Sequence, residues 1–215
     1  MGMSSDLPVA VVIDLVKSRQ ITERRSAQVQ IETAFALVNS LVIPVQPLEA
    51  TVGDEFQAVY ESVSAALEAT LLARLALPAG IDCRFGMGSG ELWSVGTGAT
   101  GPLQDGPGWW LAREAINEAH VREDARTPSL RSWYRSDDQR YPEAVVNAQL
   151  LVRDQVVGAM SDRARRITLG TFRGLSQAEL AASEQISQSA VSQSLRRSGG
   201  SALVSSLELF AAGAA

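Results

Sequence analysis

One cysteine and one histidine are all that the 215 residues hold of the two side chains most used to bind zinc. The single Cys83 excludes an internal disulfide and a zinc site built from cysteines. It reads as a small side chain in a buried strand. His120, near a helix end, has no evident partner and is assigned no role. No apolar run reaches the roughly eighteen residues that a membrane span needs, so none is expected. Met1–Pro8 lacks a basic stretch leading into an apolar one, so no signal peptide is expected either. Internal repeats are absent, and the only biased tract is the small-residue end Ala211–Ala215. These absences point to a cytoplasmic protein.

What is present is ample material for a core, with 46% hydrophobic and 20% charged residues. The length suits one large domain, or an ordinary domain with a small module. The formal net charge of −5 is unevenly spread. From Arg163 onward six arginines stand against Glu179, Glu184 and Glu208, a balance of +3 that leaves −8 for the remainder. An acidic body with a basic tail fits a nucleic-acid partner, because phosphate contacts need only a local positive face.

Val9–Leu15 is an almost wholly apolar run ending at Asp14, the pattern of a buried central strand. Thr22 is placed to cap a long amphipathic helix through Val29, Phe35, Val38 and Leu41. Strands near Val45–Val52 and Phe56–Tyr60 flank the turn Gly53-Asp54-Glu55, a hairpin pattern. Ser62 opens a second helix closed by Pro78 and Gly80. Ile81–Gly88 follows as a strand, with Glu91–Val95 as another or its continuation. The Gly/Pro-rich Gly96–Gly108 reads as a loop, Trp109–Ala119 as a helix, and Arg122–Tyr141 as a polar, irregular boundary. Everything from Pro142 on reads helical. The order predicts an α+β chain: residues 1–141 as a ferredoxin-like antiparallel sheet with helices on one face, residues 142–215 as an all-α connector and helix-turn-helix.

Ser176-Gln177-Ala178-Glu179 has the form of a capping box. The helix it opens turns Leu180 and Ala181 inward. A turn at Glu184–Ile186 leads to Ser187, which can cap a second helix, Gln188–Arg197, with Val191 and Leu195 facing the core. Its outer face offers Gln188, Ser189, Ser192, Gln193, Arg196 and Arg197, all able to bond base edges or phosphates. Gly174–Ala181 and Ile186–Ser192 resemble the helix-turn-helix of sigma-factor region four. Double-stranded DNA is the expected partner, bound by a homodimer; a protein-contact module is the competing reading.

Asp14 and Asp54, from neighbouring strand ends, would make a cage of hard oxygens suited to magnesium or manganese. Glu55 adds a third oxygen only if it reaches the same face, and strict alternation sends it to the other. Lys17, Ser18 and Arg19, with Gly53, lie where a turn into a helix start can hold the phosphates of a nucleotide. The aspartates could instead cap backbone amides, but a carboxylate closing an apolar strand is costly to bury unpaired, which favours the metal or phosphate-linked site. For Lys17, Ser18 and Arg19 a solvated polar turn is an equal reading. Gly86, Gly88 and Gly90 form no dinucleotide fingerprint and read as close backbone packing. Trp109 and Trp110 read as packing or dimer contacts; Trp133 and Tyr134 could stack on a nucleotide or anchor a loop.

Val11–Val16 followed by Thr51–Tyr60 resembles the two metal motifs of class III nucleotide cyclases and of GGDEF-type palm domains. Arg84–Leu92 and Gln104–Gly108 are similar to the strand and helix entry that follow in cyclases. With the helix-turn-helix appended, Val9–Ser198 resembles the SatD family. The likeness implies a palm-type domain with a divalent-metal and nucleotide site. The leading expectation is a DNA-binding transcriptional regulator in which that domain senses the metal–nucleotide and transmits its state to the helix-turn-helix. The alternative is a metal-dependent nucleotide cyclase or nucleotidyltransferase. Departures count against efficient catalysis: Trp110 and Glu114 fall where cyclases carry a transition-state asparagine and arginine, Arg113 is one residue, about 100°, out of register, and no lysine near Ile43–Thr51 could read a purine.

Overall fold

A computed structural model describes residues 7–17, 23–51, 55–98, 101–137 and 142–214. Among them run β1 (Val9–Leu15), α1 (Arg24–Leu41), β2 (Gln46–Ala50), β3 (Glu55–Tyr60), α2 (Val63–Ala76), β4 (Cys83–Ser89), β5 (Trp93–Gly98), β6 (Gly101–Asp105), α3 (Pro107–Ala125), β7 (Ser132–Ser136), α4 (Glu143–Gly158), α5 (Asp162–Phe172), α6 (Gln177–Glu184), α7 (Gln188–Ser198) and α8 (Gly200–Ala214). The fold is α+β, with an open five-stranded sheet in the order β2-β3-β1-β4-β7 and a separate β5-β6 pair. β1 is antiparallel to β3 and to β4; only β7 is parallel to its neighbour, β4.

The apolar run of β1 makes it the middle strand, covered on both faces. Val9, Val11 and Ile13 join the main core beneath α1 and α2, while Ala10 and Val12 meet Ala112 and Ile116 of α3. This corrects the expectation of helices on one face. Gly86 and Gly88 of β4 are the physical reason: a Cβ on either would lie 2.2 Å from a backbone oxygen of α3, that of Ala112 or of Gly108. The packing role expected of these glycines is what the structure shows, and it seats a helix on the second face.

Two segments differ from the sequence-based expectation. Arg122–Tyr141 is not irregular throughout: α3 continues to Ala125, and Ser132–Ser136 forms the edge strand β7. Its polarity is answered by α4. The Asn147 side chain accepts from the Tyr134 N–H at 2.8 Å and donates to its carbonyl at 2.9 Å. Ser132 Oγ accepts from Arg153 at 2.5 Å, and Asp154 accepts from the Arg131 N–H at 2.7 Å. Gly96–Gly108 is not a plain loop either, since β5 and β6 pair through most of it, with a register shift between Ser94 and Gly96.

Val146, Leu150, Val157, Leu203 and Leu207 belong to the same buried cluster as the sheet, so the core runs on past residue 142. A second cluster joins α5, α6 and α7 through Ile167, Leu180, Ala181, Val191 and Leu195. Ser176 and Glu179 form the full capping box, Gln185 takes the left-handed conformation that ends α6 (φ 56°), and Ser187 caps α7. No helix among the described residues is long and apolar enough to cross a membrane.

Candidate functional site

Asp14 lies directly opposite Glu55 on β3 and Arg84 on β4. Residues opposite one another in a ladder share a face, so Glu55 stands beside Asp14 under α3. The expectation that alternation would turn Glu55 away is corrected, because Glu55 enters the ladder as the partner of Asp14 itself. Arg113, from α3, donates to both Glu55 oxygens, at 2.5 and 2.9 Å. That fork, and the nearby Glu55 and Asp14 charges, raise the Arg113 pKa further. Arg84 reaches Asp14 at 3.5 Å and Glu123 at 2.6 Å.

From here charge alternates into the core. Glu123 pairs with Arg131 at 3.1 Å, Arg131 with Asp82 at 2.6 Å, Arg74 with Asp82 at 3.6 Å and with Asp154 at 2.9 Å. Asp154 also meets Arg153, which is fully buried and whose pKa is lowered by desolvation. At the buried end, Arg74, Arg153 and Asp154 depend on one another, since an unpaired charge there would be costly.

Of the expected cation donors, Asp14 and Glu55 are the ones described. Asp14 and Glu55 each already face a guanidinium, and the described residues contain no group of three or more metal-ligating side chains. Gly53, Asp54, Ser18, Arg19 and Thr22 lie outside the described residues.

Lys17 is described: it lies in the turn after β1 in a left-handed conformation (φ 56°), exposed. It borders a cavity of about 670 Å³ shared with Glu23, Ser26, Asp82, Arg131 and Arg165. On the other face, a smaller cavity of about 410 Å³ is bounded by Val12, Gln57, Gln104, Trp109, Trp110 and Arg113. Trp109 packs on the α3 cluster. Trp110 is half exposed, edge-on to Trp93 at 5.9 Å, with its N–H on Asp105 at 2.8 Å. Glu114 is exposed. Trp133 and Tyr134 are buried in β7, with Arg122 stacked 4.2 Å over the Trp133 ring. Cys83 is buried, and burial pushes its thiol pKa well up.

In the helix trio, Ser187, Gln188, Ser189, Gln193, Arg196 and Arg197 are exposed and Ser192 is half-buried, while Val191 and Leu195 fill the inner face. Ser187 Oγ is occupied in capping the Ala190 N–H and bonding Ser189. On α5, Arg166 forks onto Glu184 with two 2.7 Å bonds and Arg163 approaches it at 3.7 Å. Those two arginines tie α5 to α6.

The sequence assigns no site role to Arg84, Arg131 or Arg165, and marks Arg113 only as out of register with a cyclase arginine. Arg84 had a visible mark, a lone charge in a strand otherwise of apolar and small residues. Nothing local marks Arg131 or Arg165, whose surroundings are assembled from distant segments.

A sequence model of the SatD family matches residues 8–205. No curated protein matches the chain.

Proposed function

The chain belongs to the SatD family, and from that premise and the geometry above we propose that it is a DNA-binding transcriptional regulator with a ligand-sensing sheet domain. The observation that carries this is the outer face of α7, where Gln188, Ser189, Gln193, Arg196 and Arg197 are exposed on a helix whose inner face is fixed by Val191 and Leu195. In this reading α6 and α7 are a helix-turn-helix, α7 enters the major groove, its first turn reads base edges and its closing arginines meet phosphates. One such unit offers little contact area, so a homodimer binds two half-sites about one helical turn apart.

The sheet is read as a ferredoxin-like, palm-type layer, supported by the antiparallel order β2-β3-β1-β4. Its nucleotide would place phosphates against Lys17, Ser18, Arg19 and Gly53. Magnesium or manganese would sit at Asp14, Asp54 and Glu55, and takes Glu55 only by displacing Arg113. The enzyme alternative, a cyclase or nucleotidyltransferase, draws no support from α3: Trp110 is engaged with Trp93 and Asp105, Glu114 points to solvent, and Arg113 is held by Glu55.

Gel shifts on genomic promoter fragments over a salt series test the reading. Arg196→Gln with Arg197→Gln is expected to weaken all sequences alike and to lower the salt slope by close to one counterion per lost phosphate contact. Gln188→Ala or Ser189→Ala is expected to shift sequence preference, by about 1–3 kcal/mol per good base contact. Absence of any shift at low salt, with the arginine variant indistinguishable from the wild type, leaves the trio as a protein-contact element.

A further inference from the structure

Arg165 differs from its neighbours on α5. Arg163 and Arg166 both pair with Glu184. The Arg165 guanidinium has one hydrogen bond, a long 3.5 Å contact to the Val157 carbonyl, no ion pair among the described residues, and an Nε that is buried without an acceptor. A cation so little compensated, beside a cavity rather than in bulk water, is an anion subsite by its chemistry. Across the same cavity stands Lys17, the only lysine of the chain, with no hydrogen-bond or ion-pair partner among the described residues. Arg131 closes a third side. The anionic groups there are Asp82, already engaged by Arg131 and Arg74, and Glu23. Among the described residues the lining charges therefore sum to +1, and the two underused cations come from different layers, the end of β1 and the first helix of the trio.

We infer that this cavity binds a phosphate-bearing anion bridged between Lys17 and Arg165, and that Arg165 reports its occupancy to the DNA-binding helices. Two linked phosphates suit two separated cations, with Arg131 contributing from the side. The route from the cavity to α7 is short: Arg165 is two residues from Ile167, which packs in the same small cluster as Leu180, Val191 and Leu195. An anion that draws the Arg165 side chain toward Lys17 bears on the helix that seats α6 and α7, and it changes DNA affinity to the extent that it binds the two states differently. The regulatory half rests on the proposed DNA binding; the binding half does not.

The test uses the full chain and inorganic pyrophosphate at constant ionic strength. Calorimetry is expected to show binding to wild type that weakens at least tenfold in Arg165→Gln, is partly restored in Arg165→Lys, and is unchanged in Arg163→Gln, a control on the same helix. Peptide mass spectrometry after amine acetylation is expected to show Lys17 protected by pyrophosphate in wild type and not in Arg165→Gln. Gel shifts with and without pyrophosphate are expected to differ in wild type and to coincide in Arg165→Gln. Failure of pyrophosphate to bind wild type, or equal binding by wild type and Arg165→Gln, overturns the site. Binding with Lys17 protection but DNA affinity indifferent to pyrophosphate overturns the coupling. No DNA binding in the absence of pyrophosphate or in its presence removes the proposed function while leaving calorimetry and acetylation to decide the site.

Discussion

Glu55 and Arg113 belong to different layers, strand β3 and helix α3, and meet through a two-pronged ion pair of 2.5 and 2.9 Å. The pair holds the carboxylate nearest Asp14 in the sheet against a fixed positive charge. Any cation attracted to Asp14 has to compete with that guanidinium for Glu55.

Removing the competitor should therefore strengthen cation binding. Arg113→Gln is expected to bind magnesium or manganese about tenfold more tightly than wild type, equivalent to about 1.4 kcal/mol. Asp14→Asn should weaken binding in either background. Calorimetric titration of the chloride salts at constant ionic strength checks this. Identical curves for wild type, Arg113→Gln and Asp14→Asn would remove the metal from the proposed function.

The second face of the sheet rests on two missing side chains. Gly88→Ala would set a Cβ 2.2 Å from the Gly108 oxygen and 2.3 Å from the Ala112 nitrogen, both backbone atoms that yield only if α3 moves. Overpacking of this kind costs about 1–3 kcal/mol, and more where backbone is the obstacle. Gly96→Ala in the β5-β6 hairpin meets nothing within 4 Å and is expected to change stability by no more than about 0.5 kcal/mol. Urea unfolding of the two variants side by side is the measurement, and equal midpoints would show that α3 is not docked on β4 as described.

How much of this was legible depended on whether the cause was local. The span of β1, the Ser62 cap of α2, the capping box at Ser176 and the inward Val191 and Leu195 follow from patterns within a few residues, and the structure has them. β7 was not legible because Ser132 and Arg131 look like loop residues until Arg153 and Asp154, some twenty positions on, are folded against them. The two-sided covering of β1 was half legible: an apolar strand without alternation calls for burial on both faces, and Gly86 and Gly88 indicated where a backbone comes close. At the candidate site Asp14 could be singled out by its position closing an apolar strand. Its real surroundings, Arg84, Glu55 and Arg113, depend on ladder register and on the docking of α3, which spacing along the chain does not reveal.

The alternating charges end in a carboxylate with no solvent exposure, Asp154, which meets Arg74 at 2.9 Å and accepts the Arg131 N–H at 2.7 Å. Asp154→Ala leaves Arg153 buried without its counter-ion and Arg74 with the longer 3.6 Å contact to Asp82, a change that costs about 3–5 kcal/mol. Asn147→Ala strips the Tyr134 N–H and carbonyl of their partner, at about 1–3 kcal/mol for each unsatisfied group. Denaturant titration should place both far below the surface variant Arg163→Gln. A loss under 1 kcal/mol for Asp154→Ala would mean that the buried Asp154 charge contributes little to holding α4 on β7.

Acid should loosen the helix trio in a way that two glutamates control. The hydrogen bonds from Arg166, and the charges of Arg166 and Arg163, lower the Glu184 pKa below its ordinary 4.5. Hydrogen bonds from the Ser176 hydroxyl and N–H lower that of Glu179. A carboxylate whose folded pKa is depressed binds its proton more weakly folded than unfolded. Its contribution is fully present above the unfolded value and is lost as pH falls through the folded one. Between neutrality and about pH 5 the wild type should hold its stability from these two groups, and from about pH 4.5 downward it should lose it. Glu184→Gln removes the group that ties α5 to α6, so it is expected to be less stable than wild type at pH 7. The gap should close as the pH drops toward 3, because the wild-type carboxylate is then protonated as well. Glu179→Gln should behave likewise with a smaller gap, since glutamine can still accept the Ser176 N–H. Thermal melts of the three proteins at half-unit steps from pH 7 to 3 read this directly. A constant difference between wild type and Glu184→Gln at every pH would show that the Arg166 fork contributes through packing, with the charge on Glu184 immaterial.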